Sequence, residues 1–387
     1  MMNLALPLIK IRLFFRAVSD ICFPSYSGST FRGAFGIHLR ESFCSTLERK
    51  CCECNKIGTC VYAGVFEGTR VLSQEGAESV SVDVPNAYVI EPLPIDRDYV
   101  ASGSVFSIDI ILFGKVSAEL NNVVTAFIKA GFTGFTESRG RAELIKVCQI
   151  FEDDVRVLFD RSNPSVSGKP VSTYSLSVNS SFKGCRIILE TPLRIVHKKK
   201  NISVENFTPG MFLNGIIRRV RILLANHAED VRNSGSDLIR PYCPDSENYR
   251  CYSGLGHVHV HAETNVSGPQ TLTGAGERSD TVPYYAERRK VELEKLPEWS
   301  RPFFEHDDAE LSSKLDTIVI NNRKLHWFDW ARLSSRQQRK IKLGGIMGTF
   351  EIEGDLELLA LFIRAGEIMH AGKAAVMGLG KYRTEWF

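Results

Sequence analysis

The sequence predicts an α+β protein in which one arrangement of strands and helices occurs twice. In each half, a strand-like run leads to an amphipathic helix, which is followed by further strands, a glycine-rich loop and a last strand. The first strand and helix span 6–18 and 30–47, and their counterparts in the second half span 185–196 and 207–227. This order is typical of a ferredoxin-like domain, so we predict two such domains in tandem.

The predicted boundaries follow from shifts in composition along the 387 residues, a length that suits two domains. The first domain spans 1–160 and carries a cysteine-rich insert at 44–60. A polar linker at 161–180 leads to the second domain, 181–387, which carries its own insert at about 232–300.

Composition limits the function classes. The chain is 43% hydrophobic and 24% charged, as expected of a globular protein, and its net charge is only +3. Any site for a polyanion must therefore come from local clustering of cations. We read no membrane span and no signal peptide. The clustered cysteines favour a reducing compartment, so the expected location is cytoplasmic.

The first helix carries a candidate for acid–base chemistry. Phe31, Phe35 and Leu39 recur at spacings of four residues and would face the sheet, whereas His38 lies near the edge of this apolar face. A histidine titrates near neutral pH, so His38 suits proton transfer in RNA cleavage. The alternative is a packed, hydrogen-bonded core histidine.

Cysteines predict a metal site in the first insert. Cys51 and Cys54 have zinc-knuckle spacing, and Cys44 and Cys60 flank them. Four thiolates close a structural tetrahedral zinc site. Cys52 could replace Cys51 in this set, and buried thiols or a redox pair are the alternatives.

Two glycine-rich loops, at 131–141 and 366–383, combine glycines with basic residues. Glycine lets the backbone approach a ligand closely, and exposed N–H groups beside cations can bind phosphates. The spacing matches neither a nucleotide P-loop nor a dinucleotide fingerprint, and a glycine-rich hairpin without a ligand is the alternative. The candidate phosphate-binding residues are Arg139, Arg141, Gly372, Lys373, Gly378, Gly380, Lys381 and Arg383.

A second basic region lies at 323–342, where seven Lys or Arg accompany one acidic residue, Asp329, and three aromatic residues. Cations for phosphates and rings for stacked bases suit RNA, although the tryptophans could equally be core residues. A basic run at 197–200 and an alternating histidine strand at 257–261 complete the polar clusters. The candidate RNA contacts from these regions and from the first helix are Arg32, Lys198, Lys199, Arg332, Arg336, Arg339 and Lys340.

These motifs resemble the CRISPR precursor-RNA-processing endoribonucleases of the repeat-associated mysterious protein (RAMP) superfamily, and in particular the branch with a cysteine-containing insert. The resemblance covers both halves in order and is thin only across 232–299. The runs that carry it are 29–40, 60–67, 106–114, 134–144, 329–348 and 370–382.

The resemblance implies RRM-type ferredoxin-like domains and metal-independent cleavage of CRISPR repeat RNA. The RNA 2′-hydroxyl would attack the phosphate and leave a 2′,3′-cyclic phosphate and a 5′-hydroxyl. His38 matches the family by position and is the first candidate base or acid, and His370 is the second. Lys373, Arg139 and Arg141 are candidates to stabilise the charged transition state, and zinc would be structural.

Two other functions remain open on the sequence alone. The same architecture serves as a non-catalytic subunit that holds CRISPR RNA in an effector complex, which would make other effector subunits partners. A zinc protein that binds some other structured RNA would need only the basic loops and the cysteines.

Overall fold

The structure is a computed structural model. No helix among the described residues is both long enough and apolar enough to cross a membrane. The described residues are 2–46, 51, 54–67, 69–72, 80–83, 85–95, 97–163, 168–178, 182–197, 200–227, 298–334 and 339–387.

The first half alternates strands with two long helices. Its strands and helices, in chain order, are β1 (Met2–Leu6), β2 (Leu8–Ala17), β3 (Ile21–Cys22), α1 (Gly28–Phe43), β4 (Thr69–Leu72), β5 (Val80–Asp83), β6 (Tyr88–Glu91), β7 (Tyr99–Val100), β8 (Val105–Phe113), α2 (Leu120–Thr133), β9 (Ala142–Ile150), β10 (Val155–Asp160) and β11 (Tyr174–Val178).

Five of these strands form the first sheet, in the order β10-β9-β2-β8-β6, with antiparallel neighbours. Without β10, the order is that of a ferredoxin-like domain, in which the first strand lies between the fourth and the third. Alternate residues of β2, among them Ile11, Leu13 and Phe15, are fully buried. The packing of Phe15 near Gly131 of α2 places this buried face under the helices.

The second half repeats this plan. Its elements are β12 (Gly184–Leu193), β13 (Val196–His197), β14 (Lys200–Asn201), α3 (Pro209–His227), α4 (Asp308–Asp316), β15 (Val319–Ser334), β16 (Arg339–Glu353), α5 (Leu359–Met369) and β17 (Tyr382–Trp386). The second sheet has the order β15-β16-β12-β17, which is again ferredoxin-like. The predicted tandem of two ferredoxin-like domains is therefore confirmed.

Two segments expected to be irregular contain strands. The predicted linker at 161–180 includes β11, whose five residues pair antiparallel with β1 at the start of the chain. In the stretch near 69–82, whose polar composition is typical of a loop, 69–72 and 80–82 belong to the paired strands β4 and β5. The second insert lies almost entirely outside the described residues, as does the predicted histidine strand at 257–261.

The hairpin of β15 and β16 extends beyond the second sheet. The pairing of β16 with β12 ends at Ile346, whereas its pairing with β15 continues to Arg339. In this projecting part, Trp330 packs on Tyr26 of the first half with ring centroids 4.8 Å apart. The hairpin therefore forms an arm that connects the two halves.

Candidate nucleic-acid interface

The glycine-rich loop at 370–381, which we call the tail loop, connects α5 to β17 and lies against the first half. The Ala371 N–H donates to the Gly380 carbonyl at 2.9 Å, which closes the loop at its base. The Tyr26 hydroxyl donates to the Met377 carbonyl at 2.7 Å. Because Tyr26 immediately precedes α1, the tail loop joins the two halves at the start of this helix.

Left-handed backbone in the tail loop explains its glycines. Gly372, Gly378 and Gly380 have φ angles of 75°, 81° and 70°. The Gly378 N–H donates to the carbonyl of Ala375 at 2.8 Å. The Gly380 N–H donates to the carbonyl of Pro192 at 3.1 Å. These two N–H groups are used inside the protein and the glycines serve the turn, so phosphate binding by Gly378 and Gly380 stays a prediction.

Replacing Gly380 with alanine is expected to lower the free energy of unfolding by about 1–3 kcal/mol, the usual cost of a left-handed non-glycine residue. The new Cβ would also collide with the Ala371 carbonyl. Gly33→Ala is the matched control, because an added Cβ there meets no atom within 4 Å on α1. That control should be neutral or stabilising by about 0.5–1 kcal/mol in urea unfolding. Equal midpoints for the two variants would contradict the structural role of Gly380.

A buried carboxylate holds the tail loop in place. Glu91, at the end of β6, lies 3.1 Å from Nε2 of His370, 3.2 Å from Nζ of Lys10 and 3.0 Å from Nζ of Lys381. We call these four residues the Glu91 cluster. Two of them come from the first half and two from the second, so the cluster fastens the halves together.

The electrostatics of the Glu91 cluster favour a charged carboxylate and a neutral imidazole. Burial acts to raise the pKa of Glu91, but Lys10, His370 and Lys381 outweigh it and hold that pKa well below its usual range. Burial lowers the pKa of His370, against the opposing effect of Glu91. The imidazole is 0% exposed. His370 therefore lies at the junction between the halves, and its candidacy as a catalytic residue stays a prediction.

Two further candidates of the tail region are paired with carboxylates. Lys381 contacts Glu190 at 3.3 Å as well as Glu91, and Arg383 contacts Glu385 at 2.7 Å. This pairing compensates their charge, so the predicted role of Lys381 and Arg383 as phosphate contacts is not supported. Burial acts to lower the pKa of Lys381, but the carboxylates raise it overall.

His38 lies between α1 and α2, where both ring nitrogens have partners. Its Nδ1 is 3.0 Å from Oε2 of Glu41, and its Nε2 is 2.7 Å from Oγ1 of Thr133. A neutral ring satisfies both contacts if Nδ1–H donates to Glu41 and the Nε2 lone pair accepts from the Thr133 hydroxyl. In that tautomer, Nε2 carries the lone pair that a general base requires, and the Thr133 hydroxyl, which can also donate to the Lys129 carbonyl at 3.0 Å, is its neighbour.

The surroundings of His38 keep it neutral and close to the surface. Burial lowers the pKa of His38, Glu41 opposes this, and Lys129 lowers the pKa further. The side chain of His38 is 10% exposed, and Thr133, the partner of Nε2, is an exposed residue. A hydroxyl group from a ligand could therefore reach Nε2 by replacing the hydroxyl of Thr133.

The structure brings His38 together with the first glycine-rich loop and not with the tail loop. Thr133 is the last residue of α2, and Gly134 follows it with φ 100°. The tail loop instead meets α1 at Gly28, which is about 15 Å from His38 at 1.5 Å per helical residue. Lys373, which is exposed in the tail loop, therefore lies away from His38 along the helix.

Other predicted cations divide into packed and exposed residues. Arg32 lies 4.4 Å above the ring of Phe66, so its guanidinium packs on the first insert rather than facing an open surface. Arg139 and Arg141, in the first glycine-rich loop, are both exposed. Within the described part of the chain, neither side chain has a carboxylate partner.

The arm also presents an exposed aromatic ring. Trp327 is 36% exposed, and its Nε1–H donates to Asp329 at 2.8 Å. A Cβ on Gly344 would lie 2.5 Å from this indole, so the ring lies flat over glycine backbone. Arg332, Arg339 and Lys340 lie on the strands of the arm, but their side chains are outside the described residues, as are Lys198, Lys199 and Arg336 altogether.

The described cysteines of the first insert do not converge on a metal site. Cys44, Cys51, Cys54 and Cys60 are all partly buried, and Sγ of Cys54 lies 3.3 Å from Oγ1 of Thr46. Burial raises the pKa of the Cys51 thiol, with smaller contributions from nearby Glu67, Cys44 and Cys60. No group of three potential ligands among the described residues is placed to hold a metal ion, and Cys52 lies outside them.

Sequence reasoning missed the residues that position the tail loop. Glu91 ends a strand that reads as apolar, and Tyr26 lies in a turn-rich connector. The only local signal was polarity at the end of a buried strand. Their partners, His370 and Met377, lie 279 and 351 residues away along the chain.

Comparison with known proteins places this fold in a family. One family model, described as an N-terminal domain, matches residues 6–171. A second, described as CRISPR-associated endoribonuclease Cas6, matches residues 187–382. A search of curated proteins finds no match.

Solved structures with a similar chain path include three that span nearly the same length. A Cas6 product complex has a TM-score of 0.47 at 10% identity and covers 98% of this chain and 99% of its own. Thermus thermophilus Cas6 has a TM-score of 0.43 at 10% identity, with full coverage of both chains. A RAMP protein that binds different RNA substrates has a TM-score of 0.34 at 10% identity and covers 97% and 99%. Because the Cas6 model matches half of the sequence, this protein belongs to the CRISPR-associated endoribonuclease Cas6 family.

Proposed function

We propose that this protein cleaves CRISPR repeat RNA in the precursor transcript and that His38 is its general base. The observation that carries the proposal is the position of Nε2 of His38, which lies 2.7 Å from the hydroxyl of an exposed threonine. That hydroxyl occupies the position that an RNA 2′-hydroxyl would need for proton transfer. Membership of the Cas6 family supplies the substrate class.

The proposed reaction needs only groups that the RNA and the protein contain. Nε2 of His38 removes the proton of the 2′-hydroxyl, whose oxygen then attacks the adjacent phosphorus. The P–O5′ bond breaks and the 5′-oxygen takes up a proton from solvent, to which His38 returns the proton it removed, leaving a 2′,3′-cyclic phosphate on one product and a 5′-hydroxyl on the other. Negative charge grows on the phosphoryl oxygens, and Lys129, whose charge lowers the pKa of His38, would oppose it.

Assignments away from the reacting phosphate complete the proposal. Arg139 and Arg141 would contact the RNA backbone next to His38, since they lie on the loop that follows Thr133. The arm, with Trp327 and its basic residues, would contact the RNA elsewhere, as would Lys373. We also propose that other CRISPR effector subunits receive the cleaved RNA.

An assay in EDTA tests the function. Labelled RNA that carries one repeat is incubated with the protein in 5 to 10 mM EDTA (roughly tenfold over any carried metal), and the products are separated on a denaturing gel. We expect one cut, with a 3′ end that polynucleotide kinase can open and dephosphorylate. No cut in EDTA with restored cutting in Mg²⁺ would contradict the proposed mechanism.

The contacts of the two histidines also favour a second function, in which the protein binds RNA without cutting it. Both ring nitrogens of His38 are already bonded, and His370 is buried, so a subunit that holds CRISPR RNA without cutting it would fit the structure. Binding of repeat RNA without cleavage under any metal condition would support this alternative.

We propose separately that the first insert binds one structural zinc ion through its cysteines. Purified protein is expected to contain about one zinc per chain by elemental analysis, since four thiolates close such a site. Cys51→Ser should lose most of that zinc, whereas Cys22→Ser, which changes an exposed cysteine outside the insert, should retain it. Metal-free protein from a culture supplied with zinc would contradict this prediction.

A further inference from the structure

The end of the first sheet carries a second surface that suits RNA. Arg12, Phe14 and Arg16 alternate with the buried residues of β2, so they lie on the face that the helices do not cover. Arg16 is exposed and pairs in register with Val105 of β8, which is 44% exposed. Arg97 extends over the same strand end, where its Nη2 donates to the Val105 carbonyl at 3.0 Å.

Several carboxylates near these arginines are engaged by other groups. The carboxylate of Asp109 is taken by Arg12, at 2.6 Å from Nε and 2.8 Å from Nη2. Glu143, the register neighbour of Arg16 on β9, forms an ion pair with Arg161. Arg16 and Arg97 have no carboxylate partner among the residues that the structure describes. Two guanidinium groups therefore remain available to phosphates.

An anchored aromatic ring lies two residues after Arg97 in the chain. Tyr99 is 52% exposed, although its hydroxyl is bonded to the carboxylate of Asp20. Asp20 also accepts the Ser102 N–H at 2.8 Å, so its charge is shared between two donors. The Tyr99 ring is thus held at its polar end while much of its area faces solvent. A base can stack on such a ring with little loss of side-chain entropy.

This surface is continuous with the loop beside His38. The Val18 N–H donates to the Arg141 carbonyl at 2.8 Å, which ties the end of β2 to the first glycine-rich loop. That loop begins at Thr133, the partner of His38. RNA bound at His38 could therefore continue over Arg141 to the end of the sheet.

We infer that Arg16, Arg97, Tyr99 and Val105 form a binding surface for a single-stranded RNA segment, distinct from the contacts around His38. Guanidinium groups bind the phosphates, and the tyrosine ring and the valine side chain contact unstacked bases. A single strand fits better than a duplex, since a duplex keeps its bases stacked and away from the ring. The inference uses the proposed function only in taking RNA as the ligand.

Fluorescence anisotropy of a labelled ten-nucleotide oligouridine tests the surface, with the full chain titrated at several salt concentrations. Tyr99→Ala is expected to weaken binding about tenfold, in the lower half of the range for a stacked base. Tyr99→Phe keeps the ring and should bind within about threefold of the original protein. Arg16→Ala and Arg97→Ala should each lower the slope of log affinity against log salt by about 0.7.

Arg301→Ala is the matched control, because it removes an exposed arginine of the second half that belongs to none of these surfaces. It should leave both affinity and salt slope unchanged. The inference would be overturned if Tyr99→Ala, Arg16→Ala and Arg97→Ala all kept the affinity and the salt slope of the unmodified protein. It would also be overturned if the protein bound an acidic peptide more strongly than the oligouridine. If the unmodified protein still cleaves repeat RNA in that case, the proposed function survives and only the second surface falls.

Discussion

Replacing His38 with alanine is expected to slow cleavage of repeat RNA by about 10²- to 10⁴-fold, the usual contribution of a general base. RNA affinity should change by less than about threefold, because the buried ring makes its contacts with Glu41 and Thr133 rather than with an open surface. Single-turnover rates at saturating enzyme, together with a binding titration, measure the two effects separately.

Two controls separate chemistry from packing. His306→Ala removes an exposed histidine that contacts Glu310 at 2.8 Å on α4, and it should cleave at the original rate. Thr133→Val removes the hydroxyl that lies next to Nε2 of His38. It should change the cleavage rate by about fivefold at most, which corresponds to the free energy of one hydrogen bond. A His38→Ala variant that melts normally and cleaves at the original rate would rule out His38 as the base.

The pH dependence of cleavage shows whether His38 acts as the base or as the acid. A base must be neutral, so the rate falls when pH drops through the pKa of His38, which burial places below the ordinary 6.5. The rate should therefore be flat across neutral pH. Glu41→Gln removes the group that raises this pKa and should move the acid limb to still lower pH. A rate that rises on acidification would instead make His38 the acid.

The duplicated fold could be predicted because its signals are local. The i, i+4 spacing of Phe31, Phe35 and Leu39 requires a helix with one buried face, and all three residues are buried. The order of elements in each half then selects the ferredoxin-like topology. The strand β11 could not be predicted in this way, because its five residues are too few to stand out in a polar segment and it is stabilised by its partner β1, about 170 residues earlier in the chain.

The candidate site could be predicted only in part, because the type of a residue does not say which way its side chain or its backbone N–H group points. Glycines and cations together suggested a phosphate site in the tail loop, but Gly378 and Gly380 use their N–H groups internally and Lys381 faces Glu91. His38 could be nominated from its position on α1. Its pairing with Thr133 depends on how α1 packs against α2, which only the assembled fold determines.

Replacing Glu91 with glutamine is expected to lower the free energy of unfolding by about 3 kcal/mol, the lower end of the range for breaking a buried ion pair. The lower end applies because both lysines keep a second acidic neighbour. Lys10 lies 3.8 Å from Asp109, and Lys381 lies 3.3 Å from Glu190. Glutamine has nearly the same volume, so the loss isolates the charge of the carboxylate. Urea unfolding followed by fluorescence measures it.

Acid should destabilise the original protein through the same cluster. The pKa of Glu91 is depressed in the folded state, so its contribution is present above its unfolded value, about 4.3, and is lost as pH falls through the depressed value. The pKa of His370 is also depressed, so the unfolded chain takes up a proton first, beginning near 6.5. Stability should therefore fall in two stages on acidification, and Glu91→Gln should abolish the lower one.

Glu190→Gln is the matched control for Glu91→Gln, since it removes the other carboxylate that contacts Lys381. The Glu190 side chain is 36% exposed, against 5% for Glu91, so the control should cost less than about 1 kcal/mol. If both variants unfold at the same urea concentration, the Glu91 cluster does not fasten the halves. Their association would then rest on apolar contacts such as that of Trp330 with Tyr26, and Trp330→Ala would become the more damaging change.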